Sequence, residues 1–505
     1  MKKIKMVLAL GTLAAVYSCK DMDLKPYNDL EKSQSLTNFA QARYYNNGTY
    51  VLLKGRTYGL FTFSQDVQAD QLNASFDFGN RNGFPHRMDD TFLAGDYTIR
   101  DTYQPYYVGI NNANNAIENY PGVPTTTAAQ ADSIKKFIGN SHLARAFYYH
   151  QLALRFCKDY NPATAATDLG MPLVLKSNIN GLPSRASLKA TYDQILSDIA
   201  IAKTNLANVP GGAATHPSRS RFTIDAVLAM EARVKLDYHD YDGAYTAAKA
   251  VIDKGLYTLY NTAANVKAYW HEDARQEDIL QLFADKSALS NTNGGIYLGF
   301  NSGTGRFSPD FFPTQAVIDL YDNADLRKAV YFENKVVLVN ATIYNNTLKL
   351  VNKFPGNPAL FTGATTNYQH KVKVFRIAEQ YLIAAEAAFM KTASDETNAR
   401  FYLNALRVAR GLGVTNATGA ALLQEIKDER QRELAFEGFR LFDLKRWGSG
   451  VKRGAVQNLN VITKTPAGSF YQLDVPANYD KIVWGIPNYE IIVNPSLKGQ
   501  QNQGW

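Results

Sequence analysis

Residues 222–254 read FTIDAVLAMEARVKLDYHDYDGAYTAAKAVIDK. Phe222, Ala226, Ala229, Ala232, Arg233 and Leu236 form one stripe at helical spacing and predict one helix. After a short turn at Tyr238-His239-Asp240, Tyr241, Ala244, Ala247, Ala248 and Val251 predict a second. Small residues on facing stripes let two helix axes approach closely, which is the device of tetratricopeptide-like helix pairs.

The same pattern recurs. Val374, Ile377, Ala378, Tyr381, Leu382, Ala385, Ala388 and Phe389 open a second pair, continued by residues 396–410. Further helices are predicted over 110–119, 132–157 and 187–206, the last with Ser187 as its N-cap. No exact 34-residue period is visible, so the repeats are imperfect. The 505 residues, 46% hydrophobic and 20% charged, are enough to bury a sizeable core and exclude disorder. Length alone suggests roughly three domains, yet no shift in pattern divides the chain. The reading is one body over residues 19–505, mostly α, with a helix-pair scaffold over about 110–260 and 372–448. Long Gly/Asn/Tyr/Phe-rich stretches interrupt it, notably 73–109, 284–313 and 449–490, and loops of that length inside a compact chain are usually functional. Residues 335–354 alternate apolar and polar positions, with Val337 and Val339 before an Asn/Thr-rich turn and Leu348 and Leu350 after it, and predict a hairpin.

The densest charge pattern is Glu429–Gly448, ERQRELAFEGFRLFDLKRWG. Glu429, Glu433 and Glu437 recur every four residues, Arg430, Arg432 and Arg440 lie between them, and six large apolar side chains share the segment. Charges among so much apolar surface predict a partly buried ion-pair network, because an unpaired buried charge is too costly. Catalytic patterns are missing. The seven histidines show no metal-ligand spacing, and no G-x-S-x-G elbow or P-loop occurs. Asp66 with Asp70, or Asp89 with Asp90, are the carboxylate pairs a glycoside hydrolase would need. A hydrolase and a plain helical-repeat adaptor are the competing classes.

At the N-terminus Lys2, Lys3 and Lys5 precede the apolar run Met6–Val16, closed by Tyr17-Ser18-Cys19. The run has about 11 residues where a membrane-spanning helix needs about 20, so residues 1–18 read as an export signal. Those three lysines supply three of the eight net positive charges, and with no Lys/Arg run elsewhere a nucleic-acid partner is not expected. Only two cysteines occur. Cys19 at the signal's end resembles a bacterial lipobox cysteine, and Lys20-Asp21-Met22-Asp23 resembles the surface-export signal of Bacteroidetes lipoproteins. Cys157, amid apolar neighbours, reads as a buried small hydrophobe.

Taken in order, the motifs resemble the SusD/RagB family of outer-membrane nutrient-uptake lipoproteins over nearly the whole chain. The resemblance is carried by Glu429–Gly448, by Gly139–Tyr149 (GNSHLARAFYY), and by Gly170–Val174 (GMPLV). Pro183–Ser187 (PSRAS), Phe375–Glu379 (FRIAE), Ile486–Glu490 (IPNYE) and Asn494-Pro495 complete it. It implies a SusD-like fold and a surface-exposed binding protein without catalysis or cofactor, lipidated at Cys19 and seated as a hinged lid on a SusC-like TonB-dependent transporter.

The implied ligand is an oligosaccharide or an oligopeptide. Aromatic rings in the loops over about 60–109 and 284–313 are the candidate sugar platforms: Phe76, Phe78, Phe84, Tyr103, Tyr106 and Tyr107 in the first, Tyr297, Phe300 and Phe307 in the second. Arg81, Asn82, His86, Asn301 and Arg306 are the candidate polar contacts. Of the four tryptophans, Trp447, Trp484 and Trp505 belong to the scaffold motifs and Trp270 to a segment that reads as structural, which leans toward peptide; so does Val317–Lys328 with Val351–Phe354, which looks closer to the RagB branch. Both ligand classes stay open on the sequence.

Overall fold

A computed structural model describes residues 36–178, 180–463 and 473–505; the export signal and Cys19 lie outside the described residues. Helices are named α1 (Phe39–Lys54), α2 (Leu60–Gln68), α3 (Tyr97–Asn119), α4 (Ala128–Phe156), α5 (Leu188–Asn205), α6 (Ile224–Asp237) and α7 (Tyr241–Ile252). After α8 (Ala263–His271) come α9 (Ile377–Met390), α10 (Glu396–Ala409), α11 (Gly419–Leu434) and α12 (Arg440–Arg446). Side chains set the helix starts: Asp96, Thr127, Ser187, Thr223, Asp240 and Asp395 each accept a first-turn backbone N–H. α1 packs on α3 and α4, and each following scaffold helix packs on the next, α4 on α5, α5 on α6, α6 on α7, α7 on α9 and α9 on α10. Ala232, Ala244, Ala247 and Ala248 meet Ala384, Ala385, Ala387 and Ala388 in one buried cluster, which is the close approach the alanine stripes predict. Cys157 is fully buried.

One helix begins earlier than the sequence suggests. α3 starts at Tyr97 and carries Pro105 in its interior. The proline and the density of Asn and Tyr imitate a loop, but Tyr103, Tyr106 and Ile110 anchor the stretch in the main core and Arg56 Nε donates to the Pro105 carbonyl.

Outside the hairpin of residues 332–351 the strands are two to four residues long. β1 (Leu72–Ala74) pairs antiparallel with β5 (Phe311–Pro313), and β2 (Asp278–Gln281) with β8 (Lys373–Arg376), which leads into α9. A four-stranded sheet has the order β3 (Phe300–Asn301), β4 (Arg306–Phe307), β6 (Phe332–Val339), β7 (Thr342–Val351). β6 and β7 form the predicted hairpin, turning at Asn340 and Ala341, both with positive φ as a two-residue connection demands. Val337, Val339, Leu348 and Leu350 point to one buried face with Leu298, Phe312, Val461 and Ile462.

The charged segment 429–448 joins this sheet region to the helices. Glu433 accepts from Arg327 (2.9 Å), Arg376 (2.6 Å) and Arg410 (2.9 Å), all buried. Glu429 accepts from Arg327 at 2.7 Å, Glu437 from Lys353 at 2.7 Å and Asp443 from Arg430 at 2.8 Å. Between α11 and α12 the chain turns through Phe436 and Gly438, at φ 63° and 80°. A Cβ on Gly438 would stand 3.0 Å from the Thr62 carbonyl oxygen, and its N–H donates to both oxygens of Asp66 at 3.1 Å. Gly438→Ala is expected to destabilise by about 1–3 kcal/mol, read from urea unfolding.

Asp66 is fully buried. Burial pushes its carboxyl up to about 8, against the opposing Gly438 N–H and Tyr297 hydroxyl. A folded-state pKa above the unfolded one contributes stability at low pH that is lost as pH rises through about 8. Urea midpoints of Asp66→Asn are expected to fall less between pH 5 and pH 8 than those of the wild type.

Candidate ligand-binding face

Three segments distant in sequence meet beside the four-stranded sheet. The first is the loop 75–82, anchored by backbone bonds from Ser75 N–H to Asp310 O (2.8 Å) and from Phe76 N–H to Val461 O (2.9 Å). Its reversal is made by Gly79, Asn80 and Asn82, all at positive φ. The second is the β3–β4 hairpin with residues 308–310, and the third is the tip of the β6–β7 hairpin, where Asn340 N–H donates to Asp77 Oδ2 at 2.7 Å. Arg81 Nε donates to Asp310 Oδ2 at 2.8 Å and a second guanidinium N–H reaches Oδ1, so a two-pronged ion pair clamps the first segment to the second. The hydrogen bond to Asp310 is the main cause that holds the Arg81 pKa above its usual value. The Arg81 side chain is still 60% exposed.

On this face Phe76 is 47% exposed. Phe300 and Phe307 face each other across β3 and β4 with ring centroids 5.0 Å apart, and Lys335 Nζ lies 5.3 Å over the Phe307 ring. Asn301 is exposed but its Oδ1 accepts from the N–H groups of Gly303 (2.9 Å) and Thr304 (3.2 Å), which fixes the hairpin. Arg306 is half-buried beside it. Tyr97, at the start of α3, is part-exposed; its hydroxyl accepts from Asn82 N–H at 2.8 Å and donates to Asn82 Oδ1. Half-exposed rings beside clamped guanidinium, carboxylate and amide groups can stack on an apolar ligand face while bonding its hydroxyls.

Of the candidates, Phe76, Arg81, Phe300, Asn301, Arg306 and Phe307 stay exposed or half-buried on these joined segments. The structure removes others. Phe78 is 4% exposed and packs edge-on against Phe311; Tyr103, 2% exposed, packs on Tyr107 and Phe156. Tyr297 is fully buried between Phe354 and Phe436 with its hydroxyl on Asp66. None of the three offers a ring to a ligand, because each fills core volume. Asn82 is buried and spends its amide on Tyr97. Tyr106 is buried, Phe84 and Tyr107 pack on the main core, and His86 is buried between Val67 O and Ala74 N–H, with burial first and Arg453 second holding it well below its ordinary pKa.

Trp270 and Trp484 are buried, while Trp447 and Trp505 bond Glu386 and the Val483 carbonyl. Val317, Ile318, Tyr321 and Phe354 belong to a buried core cluster and Lys353 to the ion network, while Asp322, Asn323 and Ala324 are exposed. Asp70 pairs with Arg440 at 2.7 Å, and Asp89 bonds Thr91. No group of three His, Cys, Asp or Glu with metal-ligand geometry occurs among the described residues. Asp77, Tyr97 and Asp310 were not foreseen; nothing local links Asp310 to Arg81.

The fold is that of the SusD superfamily. It superposes on a SusD superfamily protein from Bacteroides thetaiotaomicron with TM-score 0.76 at 24% identity, over 92% of this chain and 99% of that one. A SusD-like carbohydrate binding protein from Bacteroides vulgatus gives 0.73 at 19% identity, over 92% and 98%. A SusD-like protein of Formosa agariphila is 24% identical over 442 residues, 78% of each chain. Residues 327–505 match the SusD family, and residues 22–236 match a family described as starch-binding associating with outer membrane. The two segments together take in well over half of the chain, which belongs to the SusD/RagB family.

Proposed function

We propose that this protein captures oligosaccharides at the outer membrane on the face around Phe76, Arg81 and Arg306. It hands them, as a lid, to a SusC-like TonB-dependent transporter, and it does so by binding alone. The observation that carries the reading is the half-exposed Phe76 on the same short loop as the Arg81–Asp310 clamp, an apolar plate and planar hydrogen-bonding groups of the kinds that suit the two sides of a sugar ring. The family matched by residues 22–236, and the carbohydrate binding relative from Bacteroides vulgatus, support both ligand class and membrane.

One way to hold a peptide is to add it as a strand to an open sheet edge. Here the β3 edge is two residues long, and Gln457 occupies the β7 edge at Lys349, bonding its N–H and carbonyl. Native mass spectrometry of residues 20–505 against mixed oligosaccharides and a peptide digest tests the reading; saccharide adducts are expected, and adducts with peptides alone would overturn it. Tethering is assigned to an acyl chain on Cys19, and Cys19→Ala is expected to move the protein out of the membrane fraction.

A further inference from the structure

Bordered by the ion network, and sharing no residue with the ligand-binding face, a cavity of about 70 Å³ opens where α2, α4, α6, α9, α11 and α12 converge. Six cationic side chains line it, Arg56, Arg155, Arg233, Lys373, Arg376 and Arg430, against four carboxylates, Asp237, Glu379, Glu437 and Asp443. Arg233 pairs with Glu379 at 2.6 Å, Arg376 with Glu437 at 2.8 Å and Arg430 with Asp443 at 2.8 Å. Lys373 has its partner outside the lining, Asp273 at 3.0 Å, and Asp237 is within 3.3 Å of Arg446, itself paired with Glu386. Arg376 also bonds Glu433 at 2.6 Å, so the lining cations that meet no carboxylate are Arg155 and Arg56.

Arg155 is buried and meets no carboxylate: its two outer nitrogens donate to Gln151, to the Phe61 carbonyl and to Gln65, and the group lies 5.5 Å over Tyr106 and 5.3 Å over Phe442. Arg56 bonds only the carbonyls of Pro105 and Leu52. Two buried N–H donors among the lining residues have no acceptor in the protein, Nε of Arg155 and Nη1 of Arg430. A guanidinium does not neutralise by losing a proton, ring faces offset only part of a buried charge, and an unsatisfied buried charged donor is costly. The space exceeds what one water needs.

We infer that this cavity is a binding site for a small monovalent inorganic anion, of the size of chloride, bound by Arg155 and Arg430 as a structural component of the fold. The anion supplies the missing acceptor for both donors and a counter-charge for Arg155. It locks α4 to α11, and its stabilisation follows mass action, growing with the logarithm of anion concentration above the dissociation constant.

The test is diffraction at the bromine edge from wild-type crystals soaked in sodium bromide. An anomalous peak inside the cavity, within hydrogen-bonding distance of Arg155 Nε and Arg430 Nη1, is expected; density for waters alone with no anomalous signal would overturn the inference. Arg430→Met is expected to remove the peak, and should that variant fail to fold, the wild-type data decide by themselves. In solution, replacing gluconate by chloride at constant ionic strength is expected to raise the wild-type unfolding temperature progressively.

Discussion

Replacing Glu433 by glutamine is expected to destabilise the protein by about 3–5 kcal/mol, the usual cost of removing one partner from a buried ion cluster. The carboxylate holds Arg327, Arg376 and Arg410 at once, none of them exposed to solvent. Glutamine keeps the shape and one acceptor oxygen but withdraws the charge, leaving three guanidinium groups to repel one another at low dielectric. Burial pushes the Glu433 carboxyl up, and Arg410, Arg376 and Arg327 outweigh that and hold it well below the ordinary carboxylate range. A depressed folded-state pKa contributes stability above the unfolded value that is lost as pH falls through the folded one. The wild type is therefore expected to lose more stability on acidification than Glu433→Gln. Glu425→Gln, which breaks a part-exposed pair with Arg407, serves as the control and is expected to cost less than about 1 kcal/mol. Equal losses in the two variants, in urea midpoints at neutral pH, would show that the cluster contributes nothing beyond surface pairing.

Phe76→Ala is expected to weaken oligosaccharide binding by about 1–2 kcal/mol, a factor of roughly 5–30 in dissociation constant, with the unfolding temperature unchanged. Stability is spared because the ring is half-exposed and the loop is held by backbone bonds to Asp310 and Val461, which alanine keeps. Arg81→Ala differs. It removes the clamp on Asp310 as well as an exposed donor, so it is expected to weaken binding and loosen the loop together, with faster amide exchange over residues 75–82. Tyr297→Ala is expected to unfold or strongly destabilise the protein, as the loss of a buried aromatic does. Calorimetric titration beside thermal unfolding separates these outcomes.

The helix pairs were legible because alanines at fixed spacing leave one way to pack them. The opening turns of α3 were not, because Pro105 and its polar neighbours carry a loop's composition while tertiary burial of Tyr103 and Tyr106 overrides it. In 429–448 the need for buried partners was readable from charge amid apolar bulk. Their identity was not, since Arg327 and Arg376 lie 106 and 57 residues from Glu433. The candidate face shows the same division. Exposed loop residues and core aromatics occur side by side in the chain, so Phe76 and Phe78 look alike in sequence. A backbone reversal at Gly79 and Asn80 and a salt bridge to distant Asp310 make one a surface plate and the other core.

Location is the claim on which the rest depends, and a competing place exists: a groove of about 600 Å³ lined by Lys158, Asn161, Asp168, Tyr479 and Asn502. Amide hydrogen exchange, with and without a saturating oligosaccharide found by the mass-spectrometric screen, tells the two apart. Slowed exchange confined to residues 75–82 and 299–310 is the predicted result. Protection at 158–168 and 477–483 with the first two segments unchanged would contradict the assignment of the ligand to the Phe76 face.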